Sequence, residues 1–458
     1  MRAMLVGCAI IAGCGGGGGG GTPPTGDGGG SDGPNQNATK ITFTLTSAPS
    51  DVEAFGFVAA YQDGDGAWKP APARSGDTYA FDVSSATWGF AYTCQVNVRI
   101  AGVVTDLRDV VEYHFAVAER TSLTDDILTR CTDRIATVEL SGTISPLPSA
   151  GTTYRVAYND TAVFIDRTTG KYDMLVAPGT HDLLVLHGSE HNTPGDFLID
   201  AAVVQRNLAV TAAMTRDVAA NNATATKSLS VSVSVPGQTP MSSETTTNLF
   251  TANGTAVSMA HVTKPPQTQL ASTALANSQL AAGDVYDQRV TVEFVKGQAV
   301  TTTMATTATT TTPANVSITT APTPLGATPM TTSAATMPYP RFRSTWPTYA
   351  GAVGYTRTLA QTPPAAGCGG SPACTITWTA WVAPGAVGAM PSYTMPDLSQ
   401  LPGWSTALGF VAGTMATGDV TAMTSSVGAM DFPPQPPVAG TKRVFAHSTF
   451  TVTPTATP

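Results

Sequence analysis

Charge is scarce in this sequence: of 458 residues, 23 are Lys or Arg and 31 are Asp or Glu, together 12%. An ordinary soluble domain carries roughly 25%. No cluster of Lys or Arg occurs and the formal net charge is -8, so the electrostatic footprint that binding to nucleic acid or to anionic lipid requires is missing. No apolar run reaches the about 20 residues that a membrane-spanning helix takes. No Gly-x-x-x-x-Gly-Lys loop and no dinucleotide fingerprint occurs, so no cofactor is expected. Whole stretches lack charge: Gly297 to Pro340 has none, and between Arg357 and Lys442 there are only Asp397, Asp419 and Asp431. Helical periodicity is almost absent too; only Thr268 to Ala281, after Pro265-Pro266, puts Leu270, Ala274 and Leu275 on one face and predicts a short helix.

Threonine, at 73 positions, supplies the polarity that charge does not. Apolar and polar residues alternate with period two in Ile41-Thr-Phe-Thr-Leu45, Lys227 to Val235, Arg289 to Val295 and Thr375-Ile-Thr-Trp378. Gly, Pro and Asn clusters separate these runs, as they do half-buried strands in sandwiches. The near-pure threonine tract Thr301 to Thr312 reads as a strand, because β-branched residues favour extended backbone; glycosylation of a Thr-rich stalk is the other reading. A repeat recurs at an offset of 93 residues, Thr78-Tyr-Ala-Phe-Asp-Val83 matching Lys171-Tyr-Asp-Met-Leu-Val176. The expected fold class is all-β, with tandem antiparallel β-sandwich domains over 40–134, 135–220, 225–325 and 326–458. The second unit, with Gly170-Lys-Tyr-Asp-Met-Leu-Val-Ala-Pro-Gly-Thr-His-Asp-Leu-Leu-Val185, resembles the carboxypeptidase-regulatory-like domain. That resemblance implies a transthyretin-type sandwich, in which a Gly-x-Tyr strand, a Pro-Gly turn and a returning strand follow one another. It implies no catalytic residue, since the module is an accessory one.

The N-terminus has a positive start at Arg2, an apolar stretch, and Ile11-Ala12-Gly13-Cys14. This tetrad resembles the lipobox of bacterial lipoprotein signal peptides. The resemblance implies a signal over 1–13, cleavage before Cys14, and acylation of the Cys14 sulfur and new amino group. Two or more acyl chains anchor stably where one does not. Gly15 stands where an Asp retains such lipoproteins at the inner membrane, so the outer membrane is the expected location. Seven glycines and then Thr, Pro, Gly, Ser and Asp make 14–39 a flexible linker by composition, spanning about 25 to 30 Å as a random coil.

Four cysteines remain once Cys8 leaves with the signal and Cys14 takes lipid. An even number in an exported chain argues for disulfides. Cys368-Gly-Gly-Ser-Pro-Ala-Cys374 can close a tight loop, so Cys368 is expected to pair with Cys374, and Cys94 with Cys131.

Three motifs hint at chemistry. His187-Gly-Ser-Glu190-His191 has the His-x-x-Glu-His pattern of inverted zinc peptidases, which needs both histidines on one helical face. Leu183 to Leu186 reads as a strand and Thr193-Pro194-Gly195 as a turn, so an exposed loop is expected instead; in the hydrolase alternative His187, Glu190 and His191 hold the metal, with Asp196 or His181 completing the site. Asp63-Gly-Asp65-Gly66 resembles the start of a calcium loop without its bidentate Glu and is read as a hairpin turn. In Thr375 to Val382, Ile376, Trp378, Ala380 and Val382 share one face and Trp381 lies on the other among threonines, where an exposed indole could stack on a sugar.

The sequence therefore leads to a lipid-anchored surface protein acting as a non-enzymatic binding or adhesion module for a glycan or protein ligand. A metal-dependent hydrolase and a purely structural envelope component are the alternatives.

Overall fold

In a computed structural model the chain is described at residues 38–46, 57–100, 103–126, 137–159, 161–190, 196–234, 240–264, 269–296, 300–318, 325, 330–369, 371–387, 391–426 and 442–453. The signal and linker expectations and Cys131 lie outside these residues. The architecture is all-β, multi-sheet and sandwich-like. Among the described residues no helix is long and apolar enough to cross a membrane.

One ladder of strands runs through the molecule. Read from one edge, its members are Thr161–Phe164, Thr152–Tyr158, Gly179–Glu190, Phe197–Val210, Ala256–Lys264, Pro240–Phe250, Val285–Lys296 and Val300–Thr310. It continues through Lys442–Val452, Ala416–Ser425, Gly354–Gln361, Cys374–Val382, Val103–Ala116, Thr87–Ile100, Ala59–Asp63 and Lys69–Pro70. The threonine tract is thus a strand with a hydrogen-bonded neighbour on each side.

Small sheets cover this ladder. Thr39–Thr46 lies between Thr78–Val83, antiparallel, and Ser122–Asp126, parallel. Val138–Ser145 lies likewise between Lys171–Val176 and Met214–Thr215, and Lys227–Val233 between Gln269–Ala274 and Val316–Ile318. The strands of the 93-residue repeat, Thr78–Val83 and Lys171–Val176, thus occupy the same place, and a third unit without that sequence signature repeats the arrangement. In the last sheet Arg341–Thr345 lies between Met330–Ala335 and Ser392–Thr394, both antiparallel. The chain around Pro178 does not close a hairpin: Lys171–Val176 belongs to a small sheet and Gly179–Glu190 to the ladder.

Alternation sends side chains from the two layers into shared cores. Phe43, Phe81, Phe90 and Tyr113 fill one, and Leu140, Met174, Val156 and Val185 another. Val231, Leu270 and Val290 form a third, and Phe342, Tyr355, Trp378 and Val420 a fourth. Some strands are buried on both faces. Leu183 and Val185 enter one core while Leu184 and Leu186 enter the next with Leu249 and Met259. Val111 packs with Phe43, but its neighbour Val110 packs with Trp378.

Two expectations are corrected. Thr268 to Ala281 is not a helix: Gln269–Ala274 is a strand and Asn277–Gln279 a single 3-10 turn. Pairing with Lys227–Val233 and burial of Leu270, Ala274 and Leu275 in two cores override a weak helical pattern. The sheets are also not purely antiparallel, since the first strand of each of three units has a parallel partner and Cys374–Val382 runs parallel to Val103–Ala116.

That last pairing has the largest consequence. It joins residues 103–116 to 374–382 in one sheet, with Val110 opposite Trp378 and Glu112 opposite Ala380. Arg108 clamps the same seam, donating to the Cys368 carbonyl at 2.6 Å and the Ala407 carbonyl at 2.8 Å while pairing with Asp106 at 2.7 Å.

Candidate functional site

The His187 motif does not assemble. His187 sits in the strand Gly179–Glu190, opposite Ala201. The peptidase motif needs its histidines on one face of a helix, and His187 stands on a strand. His187 instead places Nδ1 2.5 Å from Asp200 and its ring 5.0 Å from that of Tyr154. The candidates meant to complete the site are committed elsewhere. His181 bonds through Nδ1 to the Asn253 carbonyl at 2.8 Å, and buried Asp196 accepts the Thr263 N–H with both oxygens at 3.0 Å. His191 and the Glu190 side chain lie outside what is described. Among the described residues no three His, Cys, Asp or Glu side chains are disposed to hold a metal ion.

Cys368 and Cys374 are bonded to each other, their Cα atoms 5.6 Å apart. Cys94 is also in a disulfide. Ile376, Trp378, Ala380 and Val382 all enter one core, as their alternation requires. Trp381, on the other face, is half-buried and packs against the core around Phe43 and Tyr113 rather than standing out among hydroxyls. The Asp63-Gly66 segment is the turn between Ala59–Asp63 and Lys69–Pro70. Its first carboxylate, Asp63, is taken up by Ser84 and Ser85: burial works against its charged form, yet the Ser84 and Ser85 N–H groups and the Ser84 hydroxyl outweigh that and hold the pKa down at about 2.

Among the described residues a cleft of about 650 Å³ lies at the seam, where sequence reading did not place one. Several pieces of chain build it, among them Val382 at the end of the strand Cys374–Val382 and Ala386 and Val387 just beyond it. The Asp63-to-Lys69 turn and the strand before it bring Gln62, Asp65 and Trp68; the end of Val103–Ala116 brings His114; Arg341 and the run Ser392 to Gln400 form the far wall. The volume falls within the roughly 300–1,000 Å³ of small-ligand pockets.

Behind the cleft lies a buried carboxylate. Glu112 is fully buried. Its Oε1 accepts hydrogen bonds from the Tyr393 hydroxyl at 2.7 Å and from the Trp378 indole N–H, and its Oε2 lies 3.0 Å from His114 Nε2. Tyr393 and His114 both line the cleft, so one carboxylate fixes two of its walls. Burial, then the Glu112 charge, push the Tyr393 hydroxyl well above the ordinary phenol range, so it remains a donor to that carboxylate.

On the other side of Tyr393, 5.3 Å from its ring centroid, stands the guanidinium of Arg357. Arg357 is also fully buried, donates from Nε to Ser344 at 3.1 Å, and finds no partner for its two terminal nitrogens among the described residues. Burial lowers its pKa to about 10, against the attraction of the Glu112 charge. The register places Glu112, Ala380 and Arg357 in one row across three strands.

The aromatic wall is held as firmly. Trp68 meets the His114 ring edge-on, with centroids 5.9 Å apart and planes at 88°. A side chain on Gly89 would begin 3.1 Å from the far end of the indole, so the missing Cβ leaves Trp68 its seat. Asp397 closes the rim, accepting from the Ser399 N–H and hydroxyl at 3.0 and 2.6 Å and lying 3.6 Å from Arg341.

Glu112 and Arg357 escaped sequence reading although a signal was there. Period-two alternation puts Arg357 on the face of Tyr355 and Leu359, and Glu112 on that of Val110, each a charge on an apolar face. Trp68 and the 392–400 wall had no such signal.

No protein family and no curated protein matches the chain. Some solved structures overlap it. A DUF3823-family protein from Parabacteroides merdae matches at 11% identity over 35% of this chain and 92% of its own, with a TM-score of 0.14. A protein described as a candidate adhesin from Bacteroides ovatus matches at 10% identity over 44% and 97%, with a TM-score of 0.15. The first three fibronectin domains of chicken CNTN1 match at 9% identity over 67% and 90%, with a TM-score of 0.16. Overlaps this weak carry no conclusion about the chain.

Proposed function

We propose that this chain is a surface-displayed, lipid-anchored binding or adhesion module, non-enzymatic, that holds its ligand in the cleft at the seam. The observation that carries the reading is the way Glu112 is used. It takes hydrogen bonds from Tyr393 and Trp378 and engages His114, all in fixed geometry. That arrangement locks two walls of the cleft in place. Walls fixed in advance reduce the ordering that binding costs.

The anchor belongs to the same reading: acylation at Cys14 and a glycine-rich tether would hold the folded part clear of the outer membrane. Radiolabelled palmitate fed to the producing cell should enter the full chain and not its Cys14→Ala variant, and label in both would remove the anchor from the account. For the binding role, the full chain is passed over a panel of surfaces coated with polysaccharides or matrix proteins. Retention on at least one coat, lost in Thr394→Trp, which fills the cleft from an exposed position, is the expected result. No retention on any coat, or retention that Thr394→Trp leaves unchanged, would overturn the reading.

A further inference from the structure

We infer that the ligand class is a neutral saccharide, one pyranose residue of which seats against Trp68; the inference rests on the binding-module reading and names its ligand. A pyranose offers an apolar C–H face and a ring of hydroxyls, and the cleft answers both. Trp68 supplies a broad, half-buried aromatic surface that His114 and Gly89 keep in one position. Aromatic rings combine a large apolar area with little rotamer entropy to lose.

Around Trp68 the cleft presents both acceptors and donors, the latter from Arg341, Ser392, Thr394 and Gln400. His114 has Nε2 on the Glu112 carboxylate. A carboxylate there accepts the Nε2 N–H, and Nδ1 is the ring nitrogen not engaged by Glu112. Gln62 spends one amide N–H on the Gly66 carbonyl at 2.7 Å, leaving its other N–H and its Oε1. Asp65 and Asp397 add carboxylate oxygens. Such a mixed set suits a ligand rich in hydroxyls, which both donate and accept.

Charge and size narrow the class further. Two carboxylates face one guanidinium, and Arg341 lies against Asp397. A uronate or sialate would place its carboxylate beside Asp65 with no cation to spare. A single cationic side chain would leave most of about 650 Å³ unfilled. A neutral sugar avoids both costs.

The test titrates the full chain by calorimetry and intrinsic fluorescence with neutral gluco-, galacto- and manno-oligosaccharides, with oligogalacturonate, and with oligolysine. Saturable binding of a neutral series is expected, weakened about tenfold or more by Trp68→Ala, largely retained by Trp68→Phe, and weakened several-fold by Asp65→Asn. No binding of any neutral series, neutral binding unchanged in Trp68→Ala, or tighter binding of the acidic or cationic oligomer would overturn the assignment. The coat panel separates the two failures. If retention there is still lost in Thr394→Trp, the saccharide assignment alone falls; if not, the binding-module reading falls with it.

Discussion

Glu112 accepts a hydrogen bond at 2.7 Å from the hydroxyl of Tyr393, a residue 281 positions further along the chain. The two meet because Cys374–Val382 runs parallel to Val103–Ala116, so the sheet of one segment continues into that of the other. Three neighbours hold this buried carboxylate, and two of them are walls of the cleft.

Removing that carboxylate leaves the Tyr393 hydroxyl, the Trp378 N–H and the His114 ring without their partner. An unsatisfied buried polar group costs about 1–3 kcal/mol. Glu112→Ala should therefore lower stability by at least about 3 kcal/mol across these groups, measured by urea unfolding, and should weaken ligand retention in parallel. A loss below 1 kcal/mol would mean that the three donors find new partners.

A second buried network ties the middle of the chain together. Arg206 contacts Asp182 and Asp284 at 2.6 Å each, and both carboxylates are buried. Arg206→Met strands two charges at once and should cost about 3–5 kcal/mol. Arg206→Met with Asp182→Asn and Asp284→Asn should recover much of that loss, and a triple variant no better than the single one would contradict the pairing.

Acid should weaken the fold with a predictable sign. For Asp63, burial is outweighed by N–H donors and the folded pKa falls from 3.8 to about 2. For Asp182, burial opposes the charged form, but the Asn207 N–H, the Asn253 amide and Arg206 overcome it and lower the pKa. Folded values below unfolded ones give stability that is present above about pH 4 and is lost as pH falls through the folded values. Melting temperature should drop from pH 4 toward pH 2, and Asp63→Asn with Asp182→Asn should flatten that slope.

Gly142 is a steric prediction. A Cβ there would sit 2.1 Å from the Arg216 carbonyl, which in turn accepts the Tyr172 hydroxyl at 2.5 Å. Gly142→Ala should destabilise by about 1–3 kcal/mol as the segment carrying Arg216, next to Met214–Thr215, is pushed away. Gly76→Ala, with nothing within 4 Å but a φ of +58°, tests backbone strain alone.

Much of this was readable in advance where the information is local. Alternation places Ile376, Trp378, Ala380 and Val382 on one face, and all four are core residues. The 93-residue repeat marks two strands with the same role. The turn at Asp63 also followed from the missing calcium ligand. What could not be read is register between distant segments: nothing in 103–116 encodes a parallel neighbour at 374–382. Without that pairing, Trp68, His114 and Tyr393 have no reason to be considered together. The same blindness made Trp381 look exposed, because the strand on its other side, Val103–Ala116, was not foreseen. The helix expected over 268–281 failed for a related reason, since the strand found at Gln269–Ala274 pairs with one some 40 residues upstream at Lys227–Val233.

The most direct measurement compares Thr394→Trp with His187→Ala, full chain, for retention on the coat that holds the unaltered protein. If the cleft at the seam is the binding site, Thr394→Trp loses retention and His187→Ala keeps it. Retention kept in Thr394→Trp and lost in His187→Ala would contradict the account.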